Sequence, residues 1–136
     1  MYYQPLTEDH GLRHSPLKAL VIPRPIGWIS TVNAQGRPNL APYSFFNVVC
    51  DAPAMVMFSS SGEKDSLRNC QETGEFVANM VGARQTQEMN ASSAGVPAEI
   101  NEFELAGLEA VPSQSVKPPR VKDAPASLEC KLHDII

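Results

Sequence analysis

The sequence predicts a mainly β protein, an antiparallel sheet or barrel of about six short strands with two or three short helices. Three observations lead there. Of 136 residues, 12 are proline and 8 glycine. Proline is excluded from helix interiors and central ladder positions, so a bundle of long helices is ruled out. Runs rich in β-branched and aromatic residues follow one another with tight turns between them. Helical spacing appears only in brief stretches.

The first patterned segment runs from Ala19 to Asn33 and reads as a strand, with Pro23 and Pro25 fixing an extended entry. Asn33-Ala34-Gln35-Gly36 reads as a turn. A second strand is expected from about Asn39 to Val49, paired with the first as a hairpin. Ala54 to Ser60 is a third strand, bounded by Pro53 and by Ser61-Gly62. Lys64 to Thr73 takes helical period, with Asp65 or Ser66 as its cap and Gly74 closing it. Glu75 to Val81 alternates as a strand. Ala83 to Ala91 reads as a short helix, Ser92 to Pro97 as a small-residue loop, and Asn101 to Leu105 as one helical turn before Gly107. Val111 to Pro125, with four prolines, is expected to run extended over the surface. Leu128 to Leu132 alternates as a last strand. The chain stops almost directly after it, which suggests either a truncated chain or a sheet edge completed by a partner.

Composition narrows the class. Hydrophobic residues make up 43% and charged residues 19%, the balance of an ordinary globular domain, here expected to cover residues 1–136. A chain this short gains stability from an oligomer partner. A net charge of −4 argues against a general nucleic-acid binder, which must neutralise phosphates. Cys50, Cys70 and Cys130 form no CxxC pair and read as reduced thiols. The N-terminal residues show no secretory pattern, and no apolar run approaches a membrane span, so a cytoplasmic protein is expected.

Two segments could carry chemistry. Ser59-Ser60-Ser61-Gly62-Glu63-Lys64-Asp65-Ser66 brings four hydroxyls, a glycine and a lysine to the point where a strand ends and a helix begins. Unpaired N–H groups and the positive dipole end make such a point receptive to a phosphate. It is not a nucleoside-triphosphatase loop, because Glu63 separates Gly62 from Lys64. An ordinary capped polar turn would look the same. The second segment is Asn39 to Asn47, where Pro42 interrupts a strand-like run and marks an edge or a bulge. Exposed backbone beside Tyr43, Phe45 and Phe46 could receive a flat heterocycle, or the rings could simply fill a core. His10 and His14 lack further ligands and do not make a metal site. There is no GxSxG elbow and no GxGxxG after a strand. Glu99, Glu102 and Glu104 read as a solvated acidic face.

Pro23-Arg24-Pro25-Ile26-Gly27-Trp28-Ile29-Ser30-Thr31, followed by Gly36-Arg37-Pro38-Asn39-Leu40-Ala41-Pro42-Tyr43-Ser44-Phe45-Phe46-Asn47, closely resembles the signature of the flavin reductase-like family. These are FMN-binding split β-barrels of the flavoredoxin and nitrilotriacetate monooxygenase reductase-component type. Lys64-Asp65-Ser66-Leu67-Arg68-Asn69, Glu75-Phe76-Val77-Ala78-Asn79, Glu88-Met89-Asn90-Ala91-Ser92-Ser93, Glu102-Phe103 with Gly107-Leu108, and Leu128-Glu129-Cys130-Lys131-Leu132 resemble its later blocks in the same order, and the resemblance brings the block around Asn90 toward the flavin or substrate without giving it a role. The resemblance implies an antiparallel, Greek-key-like split barrel and a homodimer with FMN at the subunit interface. Family members usually continue past the last of these strands, so this chain resembles one lacking its C-terminal strands. It further implies that Ala41, Pro42, Tyr43, Ser44, Phe45 and Asn47 lie along the flavin ring and ribityl chain. Ser59, Ser60, Lys64, Asp65 and Ser66 would hold the phosphate, and Trp28, Ser30 and Thr31 would sit on the neighbouring strand. The implied reaction is hydride transfer from NADH or NADPH to FMN, with reduced flavin passed to a monooxygenase or another acceptor and no catalytic acid or base required. The alternatives are a non-catalytic FMN electron carrier, an inactive truncated fragment, or a heme-binding split barrel.

Overall fold

The computed structural model describes residues 3–5 and 7–136. Met1, Tyr2 and Leu6, part of the N-terminal segment read above, lie outside the described residues. Strand β1 (Gly27–Val32) is buried along its whole length. It pairs antiparallel with β2 (Pro38–Tyr43) on one side and β5 (Glu75–Met80) on the other. The last strand, β8 (Ser127–Lys131), adds to β5, giving the order β2-β1-β5-β8. Between β2 and β5 the chain makes the separate hairpin β3 (Phe46–Asp51) and β4 (Ala54–Phe58), then helix α2 (Asp65–Thr73), before returning beside β1 in a Greek-key-like path. The sheets are antiparallel and do not close into a barrel among the described residues.

Period-two alternation sends β1 side chains into two cores. Ile29 packs with Tyr43, Phe46, Cys70, Phe76 and Ala78 on the face covered by α2 and the β3–β4 hairpin. Trp28 packs with Leu40, Phe103 and Val121 on the other face. The second core is roofed by α4 (Glu102–Leu105) and by the short ribbon β6 (Ala110–Val111) with β7 (Arg120–Val121). Asn79 ties the second face together. Its Nδ2 donates to Trp28 O (3.0 Å) and to Ser30 Oγ (3.4 Å), while its Oδ1 accepts from Val121 N–H (3.0 Å) and Ser127 Oγ (2.9 Å).

Several expectations change. The segment expected as one strand from Asn39 to Val49 is two strands with a bend at Ser44-Phe45. Tyr43 and Phe46 are three apart yet enter the same core, which an unbroken strand cannot allow because residues three apart face opposite sides. Ala19 and Leu20 belong to helix α1 (Pro16–Leu20), not to the first strand. Ser15 caps that helix and Pro16 stands in its first turn, where a missing N–H costs nothing. The C-terminal end of α1 is held by Arg24, whose Nη1 donates to Lys18 O (2.6 Å) and Val21 O (2.5 Å). At α2 neither Asp65 nor Ser66 is the cap. Lys64 holds that position without a side-chain cap bond, and Asp65 pairs instead with Arg68. Gly74 does close α2, at φ 70° with its N–H on Cys70 O. The short helix expected from Ala83 to Ala91 is a 3₁₀ turn (Ala83–Gln85) followed by α3 (Thr86–Ala91). The proline-rich segment is not wholly on the surface: Pro118 and Val121 are buried, and Pro119 O accepts from Ser30 Oγ (2.5 Å). No helix among the described residues is long and apolar enough to cross a membrane.

Candidate functional site

A cleft of about 320 Å³ opens between the outer edge of β2 and the N-terminal end of α2. Its floor is β2, with Asn39, Ala41, Pro42 and Tyr43. One wall is Glu63, Lys64, Asp65, Ser66 and Arg68. The other is the loop from Ser92 to Val96 together with Glu102.

The floor is an edge for a stated reason. Leu40 N–H points away from β1, to the Glu102 carboxylate at 3.1 Å. Pro42, two residues on, places its nitrogen on that same outer edge, where no ladder bond is lost. The edge reading of Pro42 therefore holds, and the β1–β2 register runs through it without a bulge. Asn39 Nδ2 donates to Ser66 Oγ (3.0 Å), which fixes the first turn of α2 against the strand. Trp28 Nε1 donates to Ser92 Oγ (2.8 Å), which anchors the opposite wall.

The α2 end carries no side-chain cap, so its first amides are available to an acceptor. Lys64 Nζ lies 5.8 Å from the centre of the Tyr43 ring. Tyr43 is only 6% exposed, and its Oη has no hydrogen-bond partner. Burial pushes the Tyr43 phenol up. The hydroxyls of Ser66 and Ser60, near it but outside hydrogen-bonding geometry, ease that rise. An orphaned buried hydroxyl costs about 1–3 kcal/mol, which a ligand's polar atom would recover.

Of the residues expected from sequence, Ala41, Pro42, Tyr43, Lys64, Asp65 and Ser66 meet in the cleft. Trp28, Ser30 and Thr31 lie behind it, fully buried, with their polar atoms engaged by Ser92, Pro119 and Asn69. Ser44, Phe45, Asn47, Ser59 and Ser60 stand outside its lining. Ser59 N–H donates to Phe45 O (2.8 Å), Ser60 Oγ to Gly62 O (3.0 Å), and Asn47 Oδ1 accepts from Val48 N–H (2.8 Å). Phe45 remains 37% exposed, with Lys18 Nζ and the Arg24 guanidinium 5.9 and 5.8 Å from its ring centre. Sequence reasoning missed Glu102, which is buried rather than part of a solvated acidic face. It gave the Ser92–Val96 wall no role: the segment read as a small-residue loop, with Ser92-Ser93 ending a block of the family resemblance. The signals for Glu102 were the resemblance of Glu102-Phe103 to a family block, which assigned it no role, and its place between the capping Asn101 and the buried Phe103, a pattern that also fits a solvated first-turn acid.

Residues 19–136 match the flavin reductase like domain family. An uncharacterised protein of Aquifex aeolicus is 47% identical over 122 residues, spanning 86% of this chain and 62% of its own length. Among solved structures, nitrilotriacetate monooxygenase component B from Bacillus cereus superposes with a TM-score of 0.89 at 30% identity, over 98% of this chain and 68% of that one. The 2-nitrobenzoate 2-nitroreductase NbaA of Pseudomonas fluorescens superposes at 0.81 with 33% identity, over 96% of this chain and 67% of that one. The chain spans about three fifths of the length of the curated relatives it matches. With its antiparallel strand order, a proline on the outer edge of β2 and a family match over residues 19–136, the chain belongs to the flavin reductase-like family.

Proposed function

We propose that this chain binds FMN in the cleft between β2 and α2 and serves as an NAD(P)H-dependent flavin reductase. The observation that carries the reading is the convergence of an orphaned Tyr43 hydroxyl, an uncapped helix end and the Lys64 ammonium in one cleft. That donor set fits a phosphorylated flavin: the α2 amides, Lys64 and Ser66 take the phosphate, while the edge formed by Ala41 to Tyr43 takes the ring and ribityl chain. When bound, the flavin supplies the hydride chemistry. The protein's work is then to hold and orient. Asn39 keeps the α2 end in register with β2, and Trp28 holds the Ser92 wall opposite. Positioning of this kind supplies much of a bimolecular rate, so no general acid or base is required.

The homodimer and the transfer of reduced flavin to a monooxygenase or other acceptor belong to the same proposal. Exposed Leu17, Leu20 and Val21 on and after α1, with Val48, Val49 and Met57 on the β3–β4 hairpin, offer apolar surface for self-association. The test is a visible spectrum of the purified protein with FMN, before and after NADH or NADPH. Flavin absorbance that bleaches without any partner is expected. Bound flavin that bleaches only when a second protein is added identifies an electron carrier. A Soret band without flavin peaks, or no flavin binding, overturns the reading.

A further inference from the structure

Three carboxylates and two cations line the cleft, an unusual balance for a site that takes a phosphate: Glu63, Asp65 and Glu102 against Lys64 and Arg68. One cation is already committed, since Arg68 pairs with Asp65. Glu102 is the carboxylate least able to shed its charge into water. It is 6% exposed and has no ion-pair partner among the described residues. Its carboxylate accepts from Leu40 N–H at 3.1 Å, on the edge of the strand that forms the floor.

Resting on the flavin reading above, we propose that Glu102 makes this cleft's affinity for a phosphorylated ligand depend on pH, because docking of the phosphate draws a proton from solvent onto the Glu102 carboxylate. The phosphate and the Glu102 carboxylate share one cleft; Lys64 and the α2 amides answer the phosphate, which leaves Glu102 with no cation of its own in the lining, so a proton is what relieves the repulsion. A protonated carboxyl still accepts from Leu40 N–H through its carbonyl oxygen, so the strut to β2 survives the change of charge. Burial, with Asp65 adding repulsion, already holds the Glu102 carboxyl above its ordinary range, which favours proton uptake. The other charged and titratable groups facing it are Glu63, Lys64, Asp65 and Arg68 from the α2 wall and Tyr43 from β2. The Ser92–Val96 wall has none, and Glu88 on α3, which packs against β2, is not in the lining. No histidine is among them.

The test compares FMN with uncharged riboflavin on the full chain and on Glu102→Gln, by titration calorimetry from pH 5.5 to 8. For the unmodified chain, FMN affinity is expected to rise as pH falls, by about tenfold for each unit by which the bound phosphate raises the Glu102 carboxyl. Glu102→Gln is expected to bind FMN more tightly at pH 8 with a flatter profile, while riboflavin binds both proteins alike. Parallel FMN profiles in the two proteins overturn this proposal alone. No FMN binding to either overturns the flavin reading and this proposal with it. If Glu102→Gln does not fold, the proton count on FMN binding to the unmodified chain decides, measured at pH 7 in two buffers of different ionisation enthalpy. Net uptake is expected. Its absence overturns the proposal, because at pH 7 the FMN phosphate, with a second pKa of about 6, is already mostly a dianion and has little proton left to release.

Discussion

Gly27 lies directly against the Phe46 ring: a Cβ at Gly27 would fall 2.5 Å from Phe46 Cδ2 and 2.6 Å from Cγ. That contact seats the start of the β3–β4 hairpin on the first strand of the sheet. Phe46 is buried and cannot swing away without leaving the core it shares with Tyr43. Gly27→Ala is therefore expected to cost about 1–3 kcal/mol through overpacking. Urea unfolding measures it, and the double variant with Phe46→Leu should recover part of the loss. A Gly27→Ala protein as stable as the parent would show that the hairpin is not held by this contact.

Asn79 is the second structural keystone, at the centre of the opposite face. Replacing it with leucine removes the acceptor of Val121 N–H and of Ser127 Oγ at once. Val121 is buried, so its amide would lose its partner without gaining water. A loss of roughly 3 kcal/mol is expected, the sum of one stranded backbone donor and several lost bonds. Because Val121 and Ser127 lie on β7 and β8, hydrogen exchange should quicken there first. A loss below about 1 kcal/mol would mean that water or a neighbour takes over the role of Asn79.

Features written in local chemistry were legible in the sequence. Gly74 ends α2 as expected because a left-handed cap depends only on that residue, and β5 was visible because its alternation is self-contained. The bend at Ser44-Phe45 was not legible, since it exists only to bring Tyr43 and Phe46 into one core. The site divides the same way. The α2 wall was legible in part: Lys64, Asp65 and Ser66 line it, while Ser59 and Ser60 do not. The opposite wall could be given no role, because Ser92 is placed by Trp28, 64 positions earlier in the chain. Glu102 is buried by a strand edge 62 positions away, so its charge pattern among Glu99 and Glu104 pointed outward instead.

Lys64 is exposed and stands at the α2 cap position, so its removal should leave the fold intact. Its contribution to a phosphate is a charge-assisted contact near the surface. Lys64→Ala is expected to weaken FMN binding about tenfold, the low end for a hydrogen bond to a charged group. Lys64→Arg should keep most of the affinity, and riboflavin should bind the parent and both variants alike. Flavin fluorescence quenching reads all of these. Unchanged FMN affinity in Lys64→Ala would remove this residue from the phosphate site.

Glu129 on β8 holds the proline-rich segment over the sheet. Its carboxylate accepts from the Ser115 hydroxyl (2.7 Å) and from the amides of Gln114 (2.9 Å) and Ser115 (2.6 Å), with Arg120 Nε 3.8 Å away. The Ser115 hydroxyl first, then these amides, hold the Glu129 carboxyl below its ordinary value of 4.5. A carboxyl depressed in the folded state stabilises most above its unfolded value, and that share is lost as pH falls through the lower folded value. The unmodified protein should therefore melt above Glu129→Gln at neutral pH, with the gap closing as the solution is acidified below 4.5. Thermal melts of both proteins from neutral to acidic pH measure it. A gap that stays constant across the range would show that the carboxylate's charge is not what holds Gln114 and Ser115 in place.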